Sequence, residues 1–315
     1  MTSLQLSSRQ VSLGSKMQSK SSALPDGTRL GPVHLRVTDI CNVAALWRDI
    51  IGLEVIADAG ETMELGVGGR PMIVLHAGAD AAATPKARGL FHVAVHVPSR
   101  HELARTAARF RASGLRHAAQ DHLVSESLYI ADADGNGIEV CLETPRRGRV
   151  EVADGQVRAV AIDGSVHSGL EPLDLEHLLT ELPAGEPVDG PLPAETFIGH
   201  IHLRARNPQA LLAFYAGVIG LTAYVQSPSF GMYDFGTPGK PHVVAFNTWA
   251  GADLVEPHAG AAGLASFTIE VPSAELLAAL GERLRSAGTA IGTDAGALLC
   301  TDPEGNRINL SVMGR

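Results

Sequence analysis

The sequence predicts an α+β protein made of four tandem βαβββ modules, and three observations predict it. First, one kind of strand opening recurs four times: Gly31-Pro-Val-His34-Leu-Arg-Val, Gly89-Leu-Phe-His92-Val-Ala-Val, Gly199-His-Ile-His202-Leu-Arg-Ala and Gly263-Leu-Ala-Ser266-Phe-Thr-Ile. Each is a short apolar run with a polar residue in the fourth place, counted from the glycine. Second, an amphipathic helix follows each opening, near Val43 to Ile51, Arg100 to Ser113, Pro208 to Ile219 and Ala274 to Ala287. Third, the second and fourth units close alike, with Asp132-Ala-Asp-Gly-Asn136 and Asp302-Pro-Glu-Gly-Asn306 before a last strand. Repetition on this scale marks supersecondary units that bury their apolar faces against one another.

The four units are A, B, C and D in chain order. Helices A and C end in Ile50-Ile51-Gly52-Leu53 and Val218-Ile219-Gly220-Leu221, where glycine ends the helix and a strand starts at once. Helices B and D end at Gly114 and Gly288. The expected divisions are a disordered, Ser-rich tail (1–28), a first domain of A and B (29–145), a connector (146–196) and a second domain of C and D (197–315). The connector is rich in Pro, Gly and acids, with one helix expected at Leu173 to Leu182.

Composition narrows the function classes. A formal charge of −9 argues against nucleic acid or an anionic membrane as partner. No apolar run approaches the length of a transmembrane helix. Cys41, Cys141 and Cys300 are far apart and form no CxxC pair, which suits a reducing cytoplasm. Thirteen histidines against four tyrosines make a metal site worth seeking.

The stretch Asp121 to Glu139 carries the densest chemistry. His122 precedes Tyr129 by seven residues, and Glu139 follows ten later, across a turn. Gly137 to Leu142 alternates like a strand, which puts Glu139 on the face with Gly137 and Cys141. A carboxylate within an apolar strand is costly to bury unless it is paired or bound to a cation. The plain alternative is a solvent-facing Glu on a half-exposed strand.

Four such units resemble the vicinal oxygen chelate superfamily, over residues 31 to 312. The stretch at Asp121 is similar to the extradiol ring-cleavage dioxygenase signature: His122, Leu128, Tyr129, Asp132, Gly135 and Glu139 fall in place, while Gln120 and Ala133 depart from it. The phrases Gly89-Leu-Phe-His, Pro172-Leu-Asp-Leu and Asn247-Thr-Trp-Ala-Gly most resemble four-module bacterial catechol 2,3-dioxygenases. The resemblance implies two half-open barrels and an Fe(II) held by two His and one Glu, with Mn(II) able to substitute. It also implies a catecholic substrate cleaved with O₂, and it leaves a homo-oligomer open.

That family takes one His and the Glu from one module and the other His from its partner. Module B offers His92 and Glu139. Module D has Ser266 and Asn309 at those places and is bare. The third ligand is then His202 of C or His34 of A. The family also places a catalytic His on the last strand of the module that lends the lone ligand. C has His242 there and A has Met72, so the expected metal set is His92, His202 and Glu139, with B packed on C and A on D. His242, Tyr129 and His122 are the expected catalytic residues. His200 shares a face with His202, as His96 does with His92, so the choice within each pair rests on the repeat register. A glyoxalase-like isomerase or transferase, and a metal-free module that binds an aromatic ligand, are the rival readings.

Overall fold

The computed structural model describes residues 23–153 and 156–314. Module A comprises β1 (Arg29–Arg36), α1 (Ile40–Ala45) continued by a π-helical turn (Leu46–Ile51), β2 (Glu54–Asp58), β3 (Thr62–Val67) and β4 (Arg70–His76). Module B comprises β5 (Gly89–His96), α2 (Arg100–Ser113), β6 (Ala118–Asp121), β7 (Ser125–Ala131) and β8 (Gly137–Glu143). The connector holds β9 (Gly148–Ala153), β10 (Gln156–Ala161), β11 (Val166–His167), β12 (Glu171–Pro172) and α3 (Leu175–Leu179). Module C comprises β13 (Phe197–Arg204), α4 (Pro208–Leu212) with a π-helical turn (Ala213–Ile219), β14 (Thr222–Ser227), β15 (Met232–Thr237) and β16 (Lys240–Asn247). Module D comprises β17 (Gly263–Val271), α5 (Ala274–Ser286), β18 (Gly292–Asp294), β19 (Ala297–Thr301) and β20 (Arg307–Val312). Every module is thus strand, helix, three strands.

Local chemistry sets the helix ends. Asp39, Ser99, Asn207 and Ser273 cap the four module helices, each side chain accepting from a backbone N–H three residues on. The Asp39 cap starts the first helix at Ile40, three residues before the expected Val43. Helices A and C close on left-handed Gly52 and Gly220. There the carbonyls of Trp47 and Tyr215 each accept two N–H donors, from Gly52 and Leu53 and from Gly220 and Leu221. That widens the last turn to the π form and lets the chain leave directly into a strand.

The modules pair as expected, A with D and B with C. The order β18-β19-β20-β17-β1-β4-β3-β2 makes one sheet of A and D, and β12-β6-β7-β8-β5-β13-β16-β15-β14 makes another of B and C. Each sheet therefore draws one module from either side of the connector. Two latches tie sequence neighbours across the sheets. Thr38 donates through its N–H and hydroxyl to Asp134, at 2.8 and 2.5 Å. In the other half, the N–H groups of Arg206 and Asn207 donate to Glu304, at 3.0 and 2.5 Å. The turns that close B and D thus hold the strand-to-helix corners of A and C.

Two expectations need correction. The tail was expected to extend to residue 28, but Leu24 is buried in the core and its N–H donates to the Gly220 carbonyl at 2.8 Å. An apolar residue with a backbone partner to reach is enough to seat that segment; residues 1–22 lie outside the described residues. The connector is more than one helix. Its β9, β10 and β11 form a separate three-stranded sheet, and β12 pairs with β6, adding an edge strand to the B–C sheet. Its helix is shorter than expected, Leu175–Leu179 against Leu173 to Leu182. Among the described residues no helix is long and apolar enough to cross a membrane.

Candidate metal centre

The centre of the B–C sheet is the antiparallel pair β5 and β13. Its register sets His92 opposite His202, Val93 opposite Ile201 and Ala94 opposite His200. This arrangement has a local two-fold relation about the Val93–Ile201 pair. It exchanges His92 with His200, Ala94 with His202, and His96 with Arg204. Parallel strands flank the pair on both sides, with Ala94 beside Glu139 and His202 beside Ala245. The two-fold twin of Glu139 is therefore Ala245.

His200, Ala94 and Glu139 lie in one row across three strands, and Ala94 is the smallest of them. Over its methyl group the two longer side chains meet. Glu139 Oε2 lies 3.0 Å from His200 Nε2 and 3.0 Å from His92 Nε2, and the two Nε2 atoms are 3.2 Å apart. All three residues are buried. Together they form a group with the donor atoms to hold a metal ion.

The third member of this triangle is His200, not the expected His202. His202 Nε2 accepts instead from Asn247 Nδ2 at 3.0 Å, with its ring stacked edgewise on that of His92. The expected register counted four places from each glycine. As folded, the comparable residues are the fourth of each first strand: Pro32, His92, His200 and Ser266. Gly89 and Gly263 open their strands, whereas Gly31 and Gly199 stand third in theirs, so the count runs two places late in A and C. His34, the alternative ligand, belongs to the A–D sheet and faces His76 at 3.0 Å. Among the described residues the A–D sheet has no matching group of donors: Asn309 there donates to Ser266 at 3.2 Å.

The expected catalytic residues stand around the triangle. Tyr129 is opposite Glu139 in the β7–β8 register, and its hydroxyl donates to Glu139 Oε1 at 3.0 Å. His122 Nε2 is 2.9 Å from the same hydroxyl, while His122 Nδ1 donates to the Gly169 carbonyl at 2.6 Å. The connector thereby fixes the His122 ring. His242 lies with its ring centroid 4.0 Å from that of His200, and its Nδ1 is 2.8 Å from Asp234 Oδ1. Asp234 was not foreseen from the sequence, because its partner is set by the pairing of β15 with β16 and not by a local motif. His200 was visible only as a second histidine on the face of His202.

Electrostatics favour a cation here. Burial alone would raise the Glu139 carboxyl, but His200 and His92 draw it well below its ordinary range. Burial, then His242, pushes His200 well down, and burial, then His92, does the same to His202. Burial, then Glu139, pushes the Tyr129 phenol well up, so it stays a donor. The triangle combines a carboxylate with two imidazole nitrogens, and that of His200 resists protonation, which is the donor chemistry of a divalent transition metal. The edges of 3.0, 3.0 and 3.2 Å bring all three donor atoms within reach of one small cation. Tyr129 holds the far carboxylate oxygen, as a partner beyond the metal's own ligands does.

Paired βαβββ modules with two His and a Glu at the seam define the class. The chain belongs to the glyoxalase/bleomycin resistance protein/dioxygenase superfamily, whose sequence profile matches residues 29–140 and 197–310. It is 28% identical to a catechol-2,3-dioxygenase of Bacillus subtilis (strain 168), over 89% of this chain and 96% of that one. In fold it resembles a putative dioxygenase from Bacillus subtilis, with a TM-score of 0.65, 12% identity, and coverage of 93% of this chain and 87% of the other. Glyoxalase I of Zea mays shares the fold at a TM-score of 0.54 and 15% identity, covering 90% and 92% of the two chains.

Proposed function

We propose that this protein is an Fe(II)-dependent extradiol dioxygenase that opens a catecholic ring with O₂. One observation carries the reading: a triangle of His92, His200 and Glu139 with two sets of proton-handling groups at its rim, His242 on Asp234 and Tyr129 on His122. The likeness to the Bacillus subtilis catechol-2,3-dioxygenase supports it. Iron held by these three residues would lower the pKa of a bound phenol and bring substrate and O₂ side by side, and Mn(II) suits the same donors.

The chain's own residues supply the rest. His242 has Nδ1 against Asp234, which leaves Nε2 to take the phenolic proton. Burial opposes charge on this ring, yet Asp234 raises its pKa above the ordinary value, so the imidazolium that forms is stabilised where it is needed. The same group can return the proton as the ring opens. The single hydroxyl proton of Tyr129 goes to the Glu139 carboxylate, or turns to a substrate oxygen once one is bound, and His122 Nε2 lies against the same hydroxyl. The burial of all three donors keeps water from competing for them.

The rivals fit less well. A four-ligand site of the isomerase kind would want a second carboxylate on the twin strand, where Ala245 stands. A metal-free binding module has no use for a His–Asp pair beside a His–His–Glu cluster. The test is to purify the protein without air, measure iron, add catechol, and follow oxygen uptake with the near-ultraviolet or visible absorbance of a ring-opened semialdehyde. Iron-dependent uptake with product is expected. Iron-loaded protein that consumes no oxygen with any simple catechol would overturn the reading.

A further inference from the structure

We infer that His96 and Glu143 form a relay that fixes the orientation and tautomer of His200, an inference that rests on the triangle being a metal centre. His200 has two ring nitrogens. Nε2 faces Glu139 and His92; Nδ1 faces away from the triangle and lies 3.2 Å from His96 Nε2. His96 Nδ1 in turn lies 3.3 Å from Glu143 Oε1. A proton on each Nδ1 gives the chain one consistent direction. His200 donates to His96, His96 donates toward Glu143, and the lone pair of His200 Nε2 is left for a cation. A metal-bound His commonly gives its other N–H to such a partner, which fixes the tautomer and raises the basicity of the ligating nitrogen.

The packing around His96 is specific to this arrangement. The ring is buried, and it lies against the backbone of Gly199, where an added Cβ would come within 2.1 Å of its atoms. Only glycine at 199 leaves room for it. Phe197 flanks the ring on the same strand, with centroids 5.3 Å apart. Glu143 sits at the end of β8 with its side chain 56% exposed, and the neighbouring His96 is the main influence drawing its carboxyl below the ordinary range. The relay therefore runs from the protein surface to the back of a buried ligand.

The two-fold relation makes the relay one-sided. The twin of His96 is Arg204, which donates to the Leu90 carbonyl and covers the Phe91 ring. A guanidinium has no acceptor to offer an imidazole N–H. His92 is held instead by ring contacts with Phe91, Tyr129 and His202. One histidine of the triangle is positioned by packing and the other by hydrogen bonds. A structural His96 and a ligand-positioning His96 make different predictions for metal affinity.

The test is cobalt(II) titration of the full chain, with thermal unfolding of the metal-free protein measured alongside. Wild type should bind cobalt, and Glu139→Ala should not; wild-type protein that takes up no cobalt would sink the metal centre itself. Given binding, His96→Leu should weaken cobalt affinity about 10–100-fold. His96→Gln, which can still accept from His200 and donate to Glu143, should recover most of that loss. Glu143→Leu, on a half-exposed side chain, should weaken affinity less but in the same direction, and it decides the matter if His96→Leu does not fold. Cobalt affinity unchanged in Glu143→Leu and in a folded His96→Leu would overturn the relay. So would a His96→Gln protein as weak as His96→Leu.

Discussion

His92 and His200 are one position seen twice. Each is the fourth residue of an eight-residue strand, and the pairing of those strands exchanges one for the other. Their Nε2 atoms meet at 3.2 Å because the residues set diagonally across the seam, Ala94 and His202, leave the diagonal between them clear on the Glu139 side. The two-fold relation keeps the two histidines and is broken around them: Glu139 answers to Ala245, Ala94 to His202 and His96 to Arg204.

The first prediction concerns Ala94. Its methyl group is all that lies between His200 and Glu139 in their row. Ala94→Leu should abolish metal binding by filling that space, and overpacking a buried position typically costs about 1–3 kcal/mol of stability. Metal stoichiometry and a thermal melt on the same sample check it. A folded Ala94→Leu protein with full metal content would contradict the geometry.

The second concerns His242 and Asp234. Neither belongs to the triangle, so His242→Ala should keep its metal while turnover falls about 10²–10⁴-fold, as general acid–base groups contribute. Asp234→Asn should reduce turnover in the same direction without displacing metal, because the imidazolium loses its counter-charge. Steady-state kinetics with metal analysis separates the two effects. Loss of iron in either variant would mean that these residues hold the centre together.

The history of His202 explains how far the site was legible. The element order within each module, the helices at Arg100–Ser113 and Pro208–Ile219 and the grouping of His122, Tyr129 and Glu139 followed from patterns local in sequence, while the B–C pairing followed from the family resemblance, through His242 in C. The register did not, because two kinds of glycine begin the repeated phrases. Gly89 opens its strand at positive φ, but Gly199 is an interior strand residue kept small by the ring of His96. Counting from both as if they were equivalent put the expected third ligand at His202, whereas His200 is the residue that meets His92 and Glu139. Asp234 and Glu143 escaped, and His96 was seen only as an alternative to His92, for a related reason: each meets its neighbour on another strand, and no single segment carries the pair. The β-structure of the connector was hidden by its Pro and Gly content.

The third prediction is about acid stability and lies away from the site. Burial, and then the nearby His76, lower His34 to about 4. Its unfolded value is near the ordinary 6.5. Between those limits the unfolded chain binds a proton that the folded chain resists. Stability is therefore full above the unfolded value and is lost as pH falls from about 6.5 toward 4, by an amount of order 1–3 kcal/mol from this group. His34→Leu should flatten part of that acid limb in urea unfolding measured across pH. An unchanged slope would show that His34 charges freely in the folded protein.

The central claim is the identity of the triangle, and iron content settles it most directly. Wild type, His200→Ala, His202→Ala and His34→Ala are purified without air and analysed for iron on folded, monodisperse protein. The account predicts about one iron per chain in wild type, His202→Ala and His34→Ala, and almost none in His200→Ala, since each ligand of a three-residue set is needed. Iron retained by His200→Ala and lost from His202→Ala would contradict it.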